Sequence, residues 1–180
     1  MRKLILLAAL TLAACETTPT IRSDFDPSVN FARYRTYSWV YQAPPEGMNP
    51  LIYERIRASI DRSLMARGYT QANPGDFAVA FTVGRRDRVE VQDYGPYSGF
   101  YPGWGHGYRW GWAPMYRQVD IRNVTDGSLA IDFYDTATKH PIWHGTATKE
   151  INPGRVVQQA EIDQAVDAVI ARFPPQPGQR

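Results

Sequence analysis

The chain has 180 residues, 43% of them hydrophobic and 21% charged, with a formal net charge of +2. That length and apolar content suit one domain with a single core and exclude a disordered tail. So small a charge argues against a polyanion-binding surface, so nucleic acid is not an expected partner, and no apolar run approaches the ~20 residues that span a bilayer. The first element in chain order is a leader: cationic Arg2 and Lys3, an apolar stretch from Leu4 to Leu12, then small Ala13 and Ala14. This order is that of an export signal over residues 1–14, and its apolar part is about half the spanning length, so cleavage is expected rather than retention as an anchor.

Leu12-Ala13-Ala14-Cys15 resembles the lipobox of bacterial lipoproteins, in which the cysteine thiol takes a diacylglycerol and the new amino terminus is acylated after cleavage. Cys15 is the sole cysteine, which excludes an intramolecular disulfide and leaves stability to packing. Two or more acyl chains give lasting membrane attachment where one gives only marginal binding. Glu16 follows where inner-membrane retention would call for Asp, and by resemblance to enteric sorting rules this implies the outer membrane, facing the periplasm. Removal of the leader would take Arg2 and Lys3 with it and leave 18 basic and 18 acidic side chains. Lipid, not charge, then accounts for membrane attachment.

Residues 15–23 read as a short tether. Tyr37, Trp39 and Tyr41 alternate with polar or small neighbours, which predicts a first strand within 33–41. Asn49-Pro50 supplies an N-cap and a first-turn proline ahead of Ile52, Ile56, Ile60 and Leu64, a helix closed by Gly68. Phe77, Val79, Phe81 and Val83 predict a second strand, and Arg85, Arg86 and Arg88 end its apolar pattern. Val119 and Ile121, then Asp126-Gly127, then Leu129, Ile131 and Phe133 read as two strands joined by a hairpin turn. A further strand is expected at 142–148, and a second helix starting at Asn152-Pro153 with Ile162, Val166, Val169 and Phe173 inward. Pro174-Pro175 stops that helix, and residues 174–180 are expected to be a disordered tail. The expected fold is α+β: a two-layer sandwich over 24–173, with about five mostly antiparallel strands and two helices on one face.

Asp24-Phe25-Asp26-Pro27, Phe31 to Trp39, Asn49-Pro50-Leu51-Ile52, the 78–83 strand, the Gly/Tyr/Trp-rich insert, Gly127 to Asp132 and Trp143-His144-Gly145-Thr146-Ala147 together resemble the bacterial lipoprotein family known as domain of unknown function 4136. The resemblance implies an envelope lipoprotein, and it supplies no catalytic residues.

The insert at 93–116 holds nine of the 23 aromatic residues with six glycines and three prolines. Trp104, Trp110, Trp112, Tyr101 and Tyr108 offer flat apolar faces with one polar tip, which suit sugar rings, headgroup-level membrane contact or adaptable protein contacts, or pack on one another in a long loop. His140 and His144, if both lay in one strand, would stand ~13 Å apart, too far to share an ion, so no metal or cofactor is expected. No nucleophile elbow or phosphate loop is present. Asp132 with Asp135, or Asp24 with Asp26, would be the carboxylate pairs open to acid and base work, but turn and strand-end hydrogen bonding is the preferred role for each. Arg85, Arg86 and Arg88 are interrupted by Asp87 and followed by Glu90, a self-compensated strand end rather than an anion grip. The expected activity is that of a non-catalytic interaction module with an envelope protein or glycan partner; the alternatives are a glycan binder using the insert, or a hydrolase with an unrecognised acid pair.

Overall fold

A computed structural model describes residues 18–96 and 117–175. In chain order these form β1 (Thr20–Phe25), a short 3-10 turn (Phe31–Arg33), β2 (Thr36–Trp39), α1 (Pro50–Ala66), β3 (Thr70–Gln71), β4 (Phe77–Pro96), β5 (Arg117–Asp135), β6 (Pro141–Ile151) and α2 (Gln159–Ile170). The strands make one sheet in the order β1-β6-β5-β4-β2-β3. Two helices and a sheet confirm the α+β class; the sheet has six strands where about five mostly antiparallel ones were expected, and β2 lies parallel to both β3 and β4. A parallel pair needs a crossover, and α1 provides it between β2 and β4.

Helix α1 forms for the reasons its sequence announces. The Asn49 side-chain oxygen accepts from the N–H of Leu51 at 2.9 Å, and Pro50 occupies the first turn, where a missing N–H costs nothing. Tyr53, Ile56, Ile60 and Leu64 are buried along one stripe, and Gly68 leaves the helix at φ +87°, a conformation that disfavours side chains. Helix α2 starts later than Asn152-Pro153 suggests. The Asn152 side chain accepts from Gly154 N–H at 3.0 Å and closes a local turn instead. The helix begins at Gln159, where the Glu161 carboxylate accepts from Gln158 N–H at 2.9 Å.

Both helices contribute to a single core with the sheet. Tyr37 and Trp39 of β2, Phe77, Val79 and Phe81 of β4, and Ile131 and Phe133 of β5 alternate inward against Ile60 and Leu64 of α1 and Val166 and Val169 of α2. Tyr41 lies beyond β2 and is half exposed, so the aromatic alternation stops at Trp39. Ser59 and Arg62 of α1 and Gln159 of α2 donate to the Asp163 carboxylate, tying the two helices where they meet solvent.

Gly145 permits the close packing of β6 under α2. A Cβ there would lie 2.3 Å from Trp143 Cη2 and 2.7 Å from Val169 Cγ1, because the Trp143 ring lies over its second neighbour on the same strand face. Gly145→Ala is expected to cost about 2 kcal/mol through overpacking, measured as a lower urea midpoint at unchanged slope. A midpoint equal to that of the native chain would show that Trp143 can move aside.

Three expectations fail against the sheet. Asp126-Gly127 makes no hairpin: β5 runs straight through it, paired to Arg86 and Arg85 of β4 on one side and to Glu150 and Lys149 of β6 on the other. Flanking on both sides satisfies the backbone, Arg88 Nε donates to Asp126 at 2.7 Å, and a Cβ on Gly127 would meet Ile151 at 3.1 Å. Arg85, Arg86 and Arg88 lie within β4 rather than at its end, although Arg88 is compensated as expected, by Glu90 and Asp126. Residues 20–23, read as tether, belong to β1, which pairs with β6 from Thr20↔Thr148 to Phe25↔Trp143.

Candidate functional site

The two possible carboxylate pairs do not form. Three positions apart in one strand, Asp132 and Asp135 point to opposite faces. Asp135 is 3% exposed and sits at the β5–β6 turn, where its carboxylate accepts from Thr138 N–H (2.8 Å), Thr138 hydroxyl (3.0 Å), Tyr34 hydroxyl (2.9 Å) and Arg33. Asp24 accepts from Phe25 N–H, and Asp26 from both the N–H and hydroxyl of Ser28. The Asp24, Asp26 and Thr138 contacts are local turn or strand-end contacts, the role that short acidic side chains commonly take, whereas Tyr34 and Arg33 reach Asp135 from the distant 3-10 turn.

Asp132 lies on the helix-free face of the sheet. The register sets Ala80, Asp132, His144 and Asp24 in one row across four strands, and His144 Nδ1 stands 2.6 Å from Asp132 Oδ1. His144 is exposed there, while its neighbour Trp143 turns inward and is buried. His140 precedes β6, so the two histidines do not share a strand. Among the described residues no cluster of three metal-ligating side chains occurs.

The most distinctive geometry is at one end of the body. Strand β6 accompanies β5 only as far as Thr125↔Ile151, whereas β4 and β5 stay paired out to Pro96↔Arg117. From Arg88↔Val124 outward the pair is therefore a two-stranded arm of seven rungs, and the eight residue steps from Arg88 to Pro96 at ~3.4 Å carry it roughly 27 Å from the third strand. Its base forms one wall of a shallow polar concavity of about 870 Å³, bounded by Arg88, Val124, Glu150 and Asn152. The side chains singled out in the insert, Trp104, Trp110, Trp112, Tyr101 and Tyr108, lie outside the described residues, as does Cys15. Strand β1 is antiparallel to β6, so its N-terminal end at Thr20 lies toward Ile151, the end from which the arm leaves.

Beside that exit, between the helical layer and the sheet, lies an apolar cleft of about 280 Å³. Ile52 and Ile56 of α1, Leu129 of β5, Ala147 of β6 and Ile162 and Ala165 of α2 form its walls, and Pro19 lies at its edge. Lys149 and Arg155 both contact the Glu161 carboxylate on its rim; the Gln158 N–H chiefly, and then Arg155 and Lys149, lower the Glu161 pKa against the opposing pull of burial. Sequence reading missed the cleft, because its walls come from α1, β4, β5, β6 and α2, segments far apart in the chain.

Residues 21–175 match the family model described as Domain of unknown function (DUF4136). The chain belongs to this family. A solved DUF4136 family protein from Bacteroides thetaiotaomicron VPI-5482 is similar at 16% identity over 88% of this chain and 97% of that one, with a TM-score of 0.47. A PDZ domain protein from Parabacteroides distasonis ATCC 8503 is similar at 10% identity and a TM-score of 0.56 over 88% of this chain, which spans 37% of that chain's length. The PelC dodecamer from Paraburkholderia phytofirmans is similar at 10% identity over 86% of this chain and 96% of its own, with a TM-score of 0.47. No curated protein matches. At 10% identity the likeness to the PDZ domain protein speaks to fold alone, and the family's description assigns no activity.

Proposed function

We propose that this DUF4136 family member is a non-catalytic interaction module held at the periplasmic side of the outer membrane by lipid on Cys15. Its contact element is the Gly/aromatic segment 93–116 at the far end of the β4–β5 arm. The observation that supports this reading is the shared exit: the N-terminal edge strand and the arm leave the body at the same end. A lipid anchor and a long arm on one side place the aromatic segment near the membrane surface, within reach of partners embedded in it. A bare two-stranded ribbon is marginal in water, so an arm of this length gains stability from a bound partner.

Labelling cells with radioactive palmitate tests the anchor. The native chain is expected to carry label and sediment with outer membranes, and Cys15→Ser to lose both; label that persists in Cys15→Ser would overturn the assignment. Affinity capture from envelopes, with and without residues 97–116, tests the arm. Loss of the captured protein set on deletion supports a protein partner, retention on purified cell-wall glycan lost with Trp104, Trp110 and Trp112 supports the glycan reading, and identical behaviour of both chains excludes the segment from either.

A further inference from the structure

The apolar cleft between the helices and the sheet has no role in the arm, and its position beside the N-terminal exit gives it an occupant. We infer that it holds one acyl chain of the lipid attached to Cys15, an inference that rests on the lipidation reading above.

Three observations carry it. The cleft is walled by Ile52, Ile56, Leu129, Ala147, Ile162 and Ala165, a lining with the chemistry of a hydrocarbon chain, and its 280 Å³ takes part of one chain rather than a whole diacylglycerol. Pro19 forms part of its edge, so the backbone is delivered to the opening by the β1–β6 pairing, whose last rung is Thr20↔Thr148. Cys15 precedes Pro19 by four residues, a reach of at most about 13 Å, so the attachment point is confined to the neighbourhood of the opening. The polar part of the lipid then meets the rim, where Glu161 is held by Lys149 and Arg155.

An acyl chain in the cleft leaves the remaining chains for the bilayer and draws the body against the membrane. The cleft thus fixes the direction of the arm relative to the membrane.

The test feeds cells a fatty acid bearing a photoreactive diazirine, irradiates intact cells expressing the full chain, and maps cross-linked peptides by mass spectrometry. Cross-links are expected on peptides covering Gln159 to Ile170 and Ser128-Leu129. Ala165→Phe, which fills the cleft, is expected to lower their yield at least fivefold while total incorporation of the fatty acid stays unchanged. Ile52→Trp, filling the opposite wall, should act alike, and far-ultraviolet circular dichroism checks that both variants fold. Incorporation with cross-links only to bilayer lipid or other proteins would overturn the inference and leave lipidation standing. Absent incorporation would overturn both, and cross-links on the same peptides in Cys15→Ser would show a loose membrane lipid in the cleft, overturning the assigned source.

Discussion

Phe173→Ala is expected to remove about 4 kcal/mol of folding stability, within the range for deleting a buried aromatic ring. Phe173 is fully buried although it lies three residues beyond the last residue of α2, in a turn where its N–H donates to Ile170 carbonyl at 2.9 Å. Its ring meets five others, with centroid separations of 4.6 Å to Phe133, 5.5 Å to Trp143 and Tyr69, 5.7 Å to Phe77 and 5.8 Å to Phe31. These partners come from β5, β6, β4, the loop after α1 and the 3-10 turn, so one side chain joins every layer at the centre of the core. Truncation leaves a cavity that rigid neighbouring rings close poorly. The thermal midpoint should fall by roughly 8–16 °C for a domain of this size. A fall of under about 4 °C would mean that the five rings collapse into the space.

The second large effect is at Asp135. Burial pushes its carboxyl pKa up, but the Thr138 N–H, the Tyr34 hydroxyl, the Thr138 hydroxyl and the Arg33 guanidinium outweigh burial and hold it at about 2. Burial raises the Tyr34 pKa, so its hydroxyl stays a proton donor at working pH. Asp135→Ala would strip the buried Tyr34 hydroxyl and two part-buried donors of Thr138 of their acceptor and is expected to cost about 3 kcal/mol, read from urea unfolding at pH 7. Arg33 itself is largely exposed, so Arg33→Ala should have much the smaller effect. Because the folded pKa lies below the ordinary 3.8, the stabilisation is complete above pH 3.8 and is lost as pH falls through about 2. The shift corresponds to roughly 2 kcal/mol at neutral pH. Asp135→Asn should therefore flatten the pH dependence of stability between pH 4 and pH 2; an unchanged slope there would assign acid lability to other carboxylates.

Much of this architecture is legible residue by residue. Asn49 and Pro50 mark the start of α1 because their chemistry is local: a side chain capping the backbone two residues on needs no distant partner. The inward alternation Phe77, Val79, Phe81 is equally plain, since a period of two is a property of the strand itself. Strand β1 is not legible, because Thr20–Phe25 carries only Ile21 and Phe25 as apolar residues and becomes a strand by pairing with the edge of β6. Asp126-Gly127 misleads for the same reason: a strong turn signal yields to ladders on both sides.

The sequence by itself determined the family, through the order of its resembling motifs, and the α+β class, the capped first helix and the inward stripes of both helices and the central strands, which follow from short-range periodicity and capping. Tertiary structure alone decided the β1–β6 pairing, the unbroken passage of β5 through Asp126-Gly127, the arm beyond Thr125 and the apolar cleft beside Pro19. Each of these depends on backbone or side-chain partners far away in the chain, and a pairing between distant segments leaves no period in either one.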